Sequence, residues 1–197
     1  MTSPGVSDQT ALPPTLESAG SNLAAVLDHL LRSDRKRFFT IVEVVRKLVP
    51  GVEDIHIRTP APASRQIELV IENGLALPAD SPSNGVRLML LFVVLAYHPA
   101  PPRLILIEEP ENGAHPKRLK DVMNLLREMT LGKHGDHAAQ VVLTTHSPYL
   151  LDNVDLDRDA VLVFRRNDDG SRSATSADAP RLKTFLDEFM LGEVWFN

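Results

Sequence analysis

Two adjacent carboxylates, Glu108 and Glu109, directly follow the run Leu104-Ile105-Leu106-Ile107. Four consecutive apolar residues closed by acids read as a parallel strand buried on both faces, so the acids arrive at the carboxyl end of a strand, where open α/β sheets keep their ligand crevice. Carboxylate oxygens in such a place suit a hard divalent cation, although an isolated acidic pair can merely solvate a strand end. A histidine, His146, stands just beyond a second apolar run, Gln140 to Thr145. An imidazole there can donate or accept a proton near neutral pH, and a lone one can equally be structural. Ser83, Asn84 and Gly85 lie directly ahead of the apolar stretch Val86 to Tyr97. The N-terminus of a helix exposes unpaired N–H groups and a partial positive charge, so the Ser83 hydroxyl and the Gly85 amide are placed to grip a phosphate; a plain serine cap is the alternative.

These residues need a scaffold. Leu23, Val26, Leu27, Leu30 and Leu31, behind Ser21 and Asn22 as candidate caps, repeat at helical spacing, and Phe38, Ile41, Val42, Val45, Leu48 and Val49 continue that period up to Pro50-Gly51. Residues 52–58 and 66–72 alternate apolar with polar on either side of a Pro/Ala/Ser-rich connection and predict an antiparallel hairpin. A helix over 86–97, a strand over 104–107, a helix over 117–129 and a strand over 140–145 then give a βαβ unit, right-handed in nearly all known cases. Ala160 to Arg165 reads as a further strand, Asp168-Asp169-Gly170 as a turn and Pro180 to Met190 as a closing helix. The fold class expected is α/β, a partial parallel sheet flanked by helices, with a helical and hairpin portion in front. Its expected division is a disordered lead-in over 1–14, the helical and hairpin portion over 15–80, and the core over 81–197.

The run Ile107-Glu108-Glu109-Pro110-Glu111-Asn112-Gly113-Ala114-His115-Pro116 resembles the Walker B and D-loop segment of RecF/SMC-like ABC ATPases. Thr144-Thr145-His146-Ser147-Pro148 is similar to the H-loop of that family, and Ser83-Asn84-Gly85 occupies the place of its signature motif. Glu108 stands where the usual ABC pattern has Asp, Ala114-His115 where it has Leu-Asp, and Asn84 where many relatives carry Gly, Asp or Glu. The resemblance implies a RecA-like sheet and hydrolysis of ATP with Mg²⁺. Glu108 would hold the metal, Glu109 would orient and polarise the attacking water, and His146 would contact the γ-phosphate. Ser83, Asn84, Gly85, Glu111, Asn112 and His115 would contact nucleotide. It further implies ATP sandwiched in a homo- or heterodimer, and work in DNA repair, chromosome maintenance or phage defence, with DNA left open as a partner.

One part of the pattern is missing. A Walker A loop, G-x-x-x-x-G-K-[ST], wraps the phosphates in backbone amides and brings a Lys to the β/γ oxygens. No such string occurs, and the one Gly-Lys pair, Gly132-Lys133, falls in a loop after a helix. The chain therefore reads as the second half of such an ATPase, truncated at its front, needing Walker A from another chain. Two other readings stay open: a nucleotide-free interaction module that keeps only the sheet and dimer surface, and a metal-dependent phosphoesterase using Glu108, Glu109, Glu111 and His146.

Composition narrows the field. The 197 residues are 43% hydrophobic and 24% charged, ordinary for one globular domain, and a net charge of −5 calls for neither nucleic acid nor an anionic membrane as obligatory partner. Without cysteine there is no disulfide, thiolate ligand or thiol nucleophile, in keeping with a reducing cytosol. Met1 to Pro14 lacks the basic and apolar regions of a signal peptide, and Leu88 to Tyr97 is about half of the ~20 residues needed to span a bilayer, so a cytoplasmic protein is expected. His134, Asp136 and His137 lie close together but read as a solvated loop, and Arg35-Lys36-Arg37 as a solvated helix face.

Overall fold

A computed structural model describes residues 13–62, 64–79, 84–112, 116–155 and 157–176. They fall into two compact units that divide after Thr144.

In the first unit, α1 (Leu23–Ser33) buries Val26, Leu27 and Leu30, and α2 (Arg35–Leu48) buries Phe38, Ile41, Val42 and Val45. Both stripes follow the period read from the sequence. The cap of α1 differs from expectation. Asn22 makes no capping bond; its side chain accepts from Glu17 N–H at 2.9 Å and donates to Thr15 C=O at 2.8 Å, tying the preceding chain to the helix start. Asp34 caps α2, accepting from Arg37 N–H at 3.1 Å.

After Pro50-Gly51, β1 (Val52–Arg58) pairs antiparallel with β2 (Gln66–Ile71), as the alternation predicts, and a short β3 (Ala76–Pro78) adds a third strand. Next comes α3 (Asn84–Ala96), in which Met89, Leu90, Phe92, Val93, Val94, Leu95 and Ala96 are all buried. A helix apolar nearly all round belongs in the middle of a core. Then β4 (Leu104–Glu108) and β5 (Gln140–Thr144) pair in parallel, joined by α4 (Pro116–Thr130). Proline at the first position of α4 lacks only an N–H that no helix could use. Leu119, Val122, Met123, Leu125, Leu126 and Met129 form its buried stripe. One core runs from Val26 on α1 through the hairpin, α3, β4 and α4 to Ala139.

The sheet corrects one expectation. Strands β4 and β5 are covered on one face only: Ile105, Ile107, Val141 and Leu143 turn to the core, while Leu104 (51% exposed), Leu106 (71%) and Val142 (48%) face outward. The run of apolar residues signalled two buried faces; the residues described here cover one.

The loop joining α4 to β5 is also more ordered than a solvated connection. Asp136 N–H donates to Pro99 C=O at 2.7 Å, His137 Nε2 meets Pro101 C=O at 2.8 Å, and His134 Nε2 meets Glu128 Oε2 at 2.8 Å while its ring stacks on Tyr97. Gly135 passes so near that a Cβ there would meet Pro101 Cδ at 2.7 Å. The Arg37 guanidinium donates to Asp34, to Tyr97 C=O at 3.2 Å and to His134 C=O at 2.6 Å, so this member of the basic cluster is a bridge between loops and not a solvated face. His98, 2% exposed, was not singled out by its sequence context. Its Nδ1 accepts from Ala100 N–H at 3.1 Å and its Nε2 meets Pro14 C=O at 3.2 Å, which fixes a neutral tautomer. Burial first, and the Arg37 charge in addition, holds its pKa below the ordinary histidine value.

In the second unit, α5 (Pro148–Leu151) buries Leu150, and β6 (Leu162–Arg166) pairs antiparallel with β7 (Arg172–Ser176) across the Asp168-Asp169-Gly170 turn. The strand expected over 160–165 therefore forms a hairpin of its own, and among the described residues it does not extend the parallel sheet. The helix expected over 180–190 lies outside the described residues.

Candidate functional site

Parallel pairing brings the end of β4 beside the end of β5, with Glu108 in register with Thr144. Side chains alternate along a strand, so Glu108, exposed, shares the outward face with Leu104 and Leu106. The first acid of the pair thus sits on the sheet face that the described residues leave uncovered.

Glu109 leaves the strand in a tight turn. Its N–H donates to Thr144 C=O at 3.0 Å, and its C=O accepts from Asn112 N–H at 2.9 Å. Glu109-Pro110-Glu111-Asn112 is a β-turn with proline at the position its fixed φ favours. The backbone of Glu109 is strained. Its φ is +43°, and among the described residues it is the only non-glycine with positive φ. Left-handed backbone costs an L-residue roughly 1–2 kcal/mol. The following Pro110 adds to this, because a residue before proline is normally held at extended, negative φ. If the end of β4 needed only solvation, glycine or asparagine would serve there at less cost. A glutamate kept in this conformation is the kind of local strain that collects at functional positions.

Asn112 also donates through its side-chain Nδ2 to Oε2 of Glu109. Glu111 is half-buried and Asn112 exposed. His115 lies outside the described residues. So does Ser83; Asn84 opens α3 and Gly85 follows in its first turn, which puts the expected phosphate-gripping segment at the N-terminus of a 13-residue helix. His146 belongs to the second unit, exposed, two residues beyond the end of β5, where Ser147 N–H donates to Thr145 Oγ1 at 2.9 Å. Spacing in the sequence placed the acids at the end of β4 but did not reveal the strained φ or the Asn112 bond. The clue available was Pro110, which makes Glu109 the first residue of a turn.

The donor set suits Mg²⁺: carboxylates at a strand terminus are the hard oxygen ligands that ion prefers. Among the described residues no three His, Asp or Glu side chains converge as a metal cage, a different arrangement from a cation held by one or two carboxylates and substrate phosphates.

The profile of the family described as "AAA domain, putative AbiEii toxin, Type IV TA system" matches residues 9–152, well over half of the chain. The chain belongs to that family. The segment matched by this AAA family contains the helical and hairpin portion, α3, both parallel strands, the acidic turn and His146. No curated protein matches the chain. Solved structures show the same fold. One, reported as "Structural biochemistry of ATP-driven dimerization and DNA stimulated activation of SMC ATPases", is 16% identical with a TM-score of 0.60, and the match covers 83% of this chain and 97% of that one. The Smc head domain with a coiled coil and joint from Pyrococcus yayanosii is 16% identical with a TM-score of 0.59, over 84% of this chain and 31% of that one. An SmcHead bound to the C-winged helix domain of ScpA is 17% identical with a TM-score of 0.55, over 81% of this chain and 47% of that one. The AAA chain therefore spans all but a little of the first and less than half of the other two. Its fold is that of an SMC ATPase head, an AAA/ABC-type α/β architecture. Among the described residues no helix is long and apolar enough to cross a membrane.

Proposed function

We propose that this AAA chain carries the hydrolytic half of an ATP site and turns over ATP with Mg²⁺ only when completed by a Walker A loop from outside these 197 residues. Glu108 supplies the metal ligand and Glu109 orients the attacking water. Ser83, Asn84 and Gly85 at the start of α3, together with Glu111, Asn112 and His115, serve nucleotide contact, and His146 takes the switch-histidine role by its place in the sequence. The observation that carries this reading is the left-handed φ of Glu109, immediately before proline. Strain there is tolerated for the sake of the carboxylate, which a structural strand end would not need. The uncovered face bearing Leu104, Leu106 and Val142 adjoins Glu108, so a segment packing on that face arrives beside the metal-binding acid. As in the SMC ATPase reported to dimerise with ATP, the completed site is proposed to close in a homo- or heterodimer in the cytoplasm, with DNA as the partner to test first.

The same uncovered face supports a second reading, in which the chain is a nucleotide-free module that docks through its sheet. ATP turnover separates the two. The purified chain alone should hydrolyse no ATP; mixed with a polypeptide that supplies the strand and G-x-x-x-x-G-K-[ST] loop, it should do so, and Glu109→Gln should lower the rate by about 10²–10⁴-fold. A complex that forms but never hydrolyses leaves the docking module standing. Turnover by the chain alone, lost on Glu109→Gln, refutes the need for an outside Walker A loop.

A further inference from the structure

The backbone of Glu109 is pinned on both sides, its N–H to Thr144 C=O at 3.0 Å and its C=O to Asn112 N–H at 2.9 Å. Held at a φ of +43° between these bonds and Pro110, it cannot swing; the carboxylate can change direction only by rotating the side chain. The Asn112 amide meets it in one such direction, donating from Nδ2 to Oε2. This bond is not needed to close the turn, which the backbone bond between the same two residues already does. It occupies a lone pair of the carboxylate and directs the group back into its own turn. A carboxylate engaged in this way has one acceptor position already occupied and is less free to turn towards an attacking water. Asn112 is exposed, so a nucleotide or an approaching protein surface can compete for its amide.

We propose that Asn112 is a positioning residue that latches Glu109 in a resting orientation, and that withdrawal of its amide is a step in switching the site on. This rests on Glu109 acting as the water-orienting group.

The first test uses the chain alone. In a ¹H–¹⁵N spectrum the Asn112 side-chain amide should be displaced from the position of a free asparagine. It should return there in Glu109→Ala and stay displaced in Glu109→Gln, which keeps an acceptor oxygen. An Asn112 signal that ignores Glu109→Ala overturns the latch. The second test measures ATP turnover by the chain together with the Walker A-bearing polypeptide. Asn112→Ala and Asn112→Asp both retain the backbone N–H that closes the turn and both remove the donor. Each should raise kcat by about 3- to 10-fold, the scale of losing one hydrogen bond, whatever KM for ATP does through the lost nucleotide contact. A lower or unchanged kcat in both variants refutes the latch. If Glu109→Gln is as active as the parent chain, the role of Glu109 itself is wrong; if Glu109→Gln is silent and Asn112→Ala is no faster, only the latch is. Should the mixture show no turnover at all, the ATPase reading fails and the amide spectrum alone decides whether Asn112 holds Glu109.

Discussion

Replacing Glu109 by glycine and by alanine separates the strain in its backbone from the chemistry of its carboxylate. Both variants lose the carboxylate and the Asn112 side-chain bond, so the difference between them reports the backbone alone. Alanine retains the Cβ that makes a φ of +43° cost roughly 1–2 kcal/mol. Glycine escapes that cost but brings about 0.5–1 kcal/mol of extra entropy to the unfolded chain. Glu109→Gly should therefore be the more stable of the two, by up to about 1.5 kcal/mol and about 0.75 kcal/mol at the centre of the range, or about 1.5–3 °C in Tm for a chain of this size. Lys120, exposed in the interior of α4, is the control. At a helical φ the same pair reverses sign, with Lys120→Gly less stable than Lys120→Ala by about 1 kcal/mol. Urea denaturation of the four variants measures both differences under one condition. A Glu109→Gly chain less stable than Glu109→Ala, as at Lys120, would refute the left-handed conformation and remove the main support for a functional Glu109.

The one-sided sheet makes two neighbours respond differently: Ile105→Ala should cost about 2–5 kcal/mol in urea denaturation, whereas Leu106→Ala should stay within about 0.5 kcal/mol, and equal losses would mean that both faces are covered. His98 gives the chain an acid sensitivity. Its folded pKa lies below the ordinary histidine value of about 6.5, so the unfolded chain binds the proton more readily, and stability should be fully present above about pH 6.5 and fall as the pH drops towards the folded value. One titrating group limits the slope to about 1.4 kcal/mol per pH unit; His98→Gln should flatten the profile between pH 5 and 7, and an unchanged profile would remove His98 as its source.

Much of the fold could be read from periodicity because its elements obey simple rules. The buried stripes of α1, α2 and α4 fall where i, i+3 and i+4 spacing puts them, and the alternation over 52–58 and 66–71 gives the hairpin. Non-local bonds were not legible. Asn22 is within reach of Thr15 and Glu17 and uses its side chain there instead of capping α1. Arg37 sits in a basic triplet, but its role depends on carbonyls of Tyr97 and His134 that only folding brings near. His98 was not singled out, and its ring is held by Pro14, far away in the sequence, as well as by nearby Ala100. At the candidate site, residue types and spacing located Glu108 and Glu109, whereas the φ of Glu109 and the Asn112 amide are consequences of how β4 and β5 pair and turn.

Departures from local rules are not spread evenly over the first unit. Its helices are striped and packed as their sequences require, and the three-stranded sheet keeps Ile55, Ile67 and Leu69 buried. Within six residues of β4 and its turn, however, Leu104 and Leu106 stand in the open from a strand composed for burial, and Glu109 holds a backbone conformation suited to glycine. In an otherwise locally consistent sequence, departures of this kind are expected at functional or strained sites and are tolerated because the rest of the core is stable. The two departures also differ in kind. Strain at Glu109 arises from the pairing and turn at the end of β4, while exposure of Leu104 and Leu106 ends once a surface packs on them. On the proposed reading, the strained acid and the open apolar face beside it await a partner surface, and the expected contact lies at the outward face of β4.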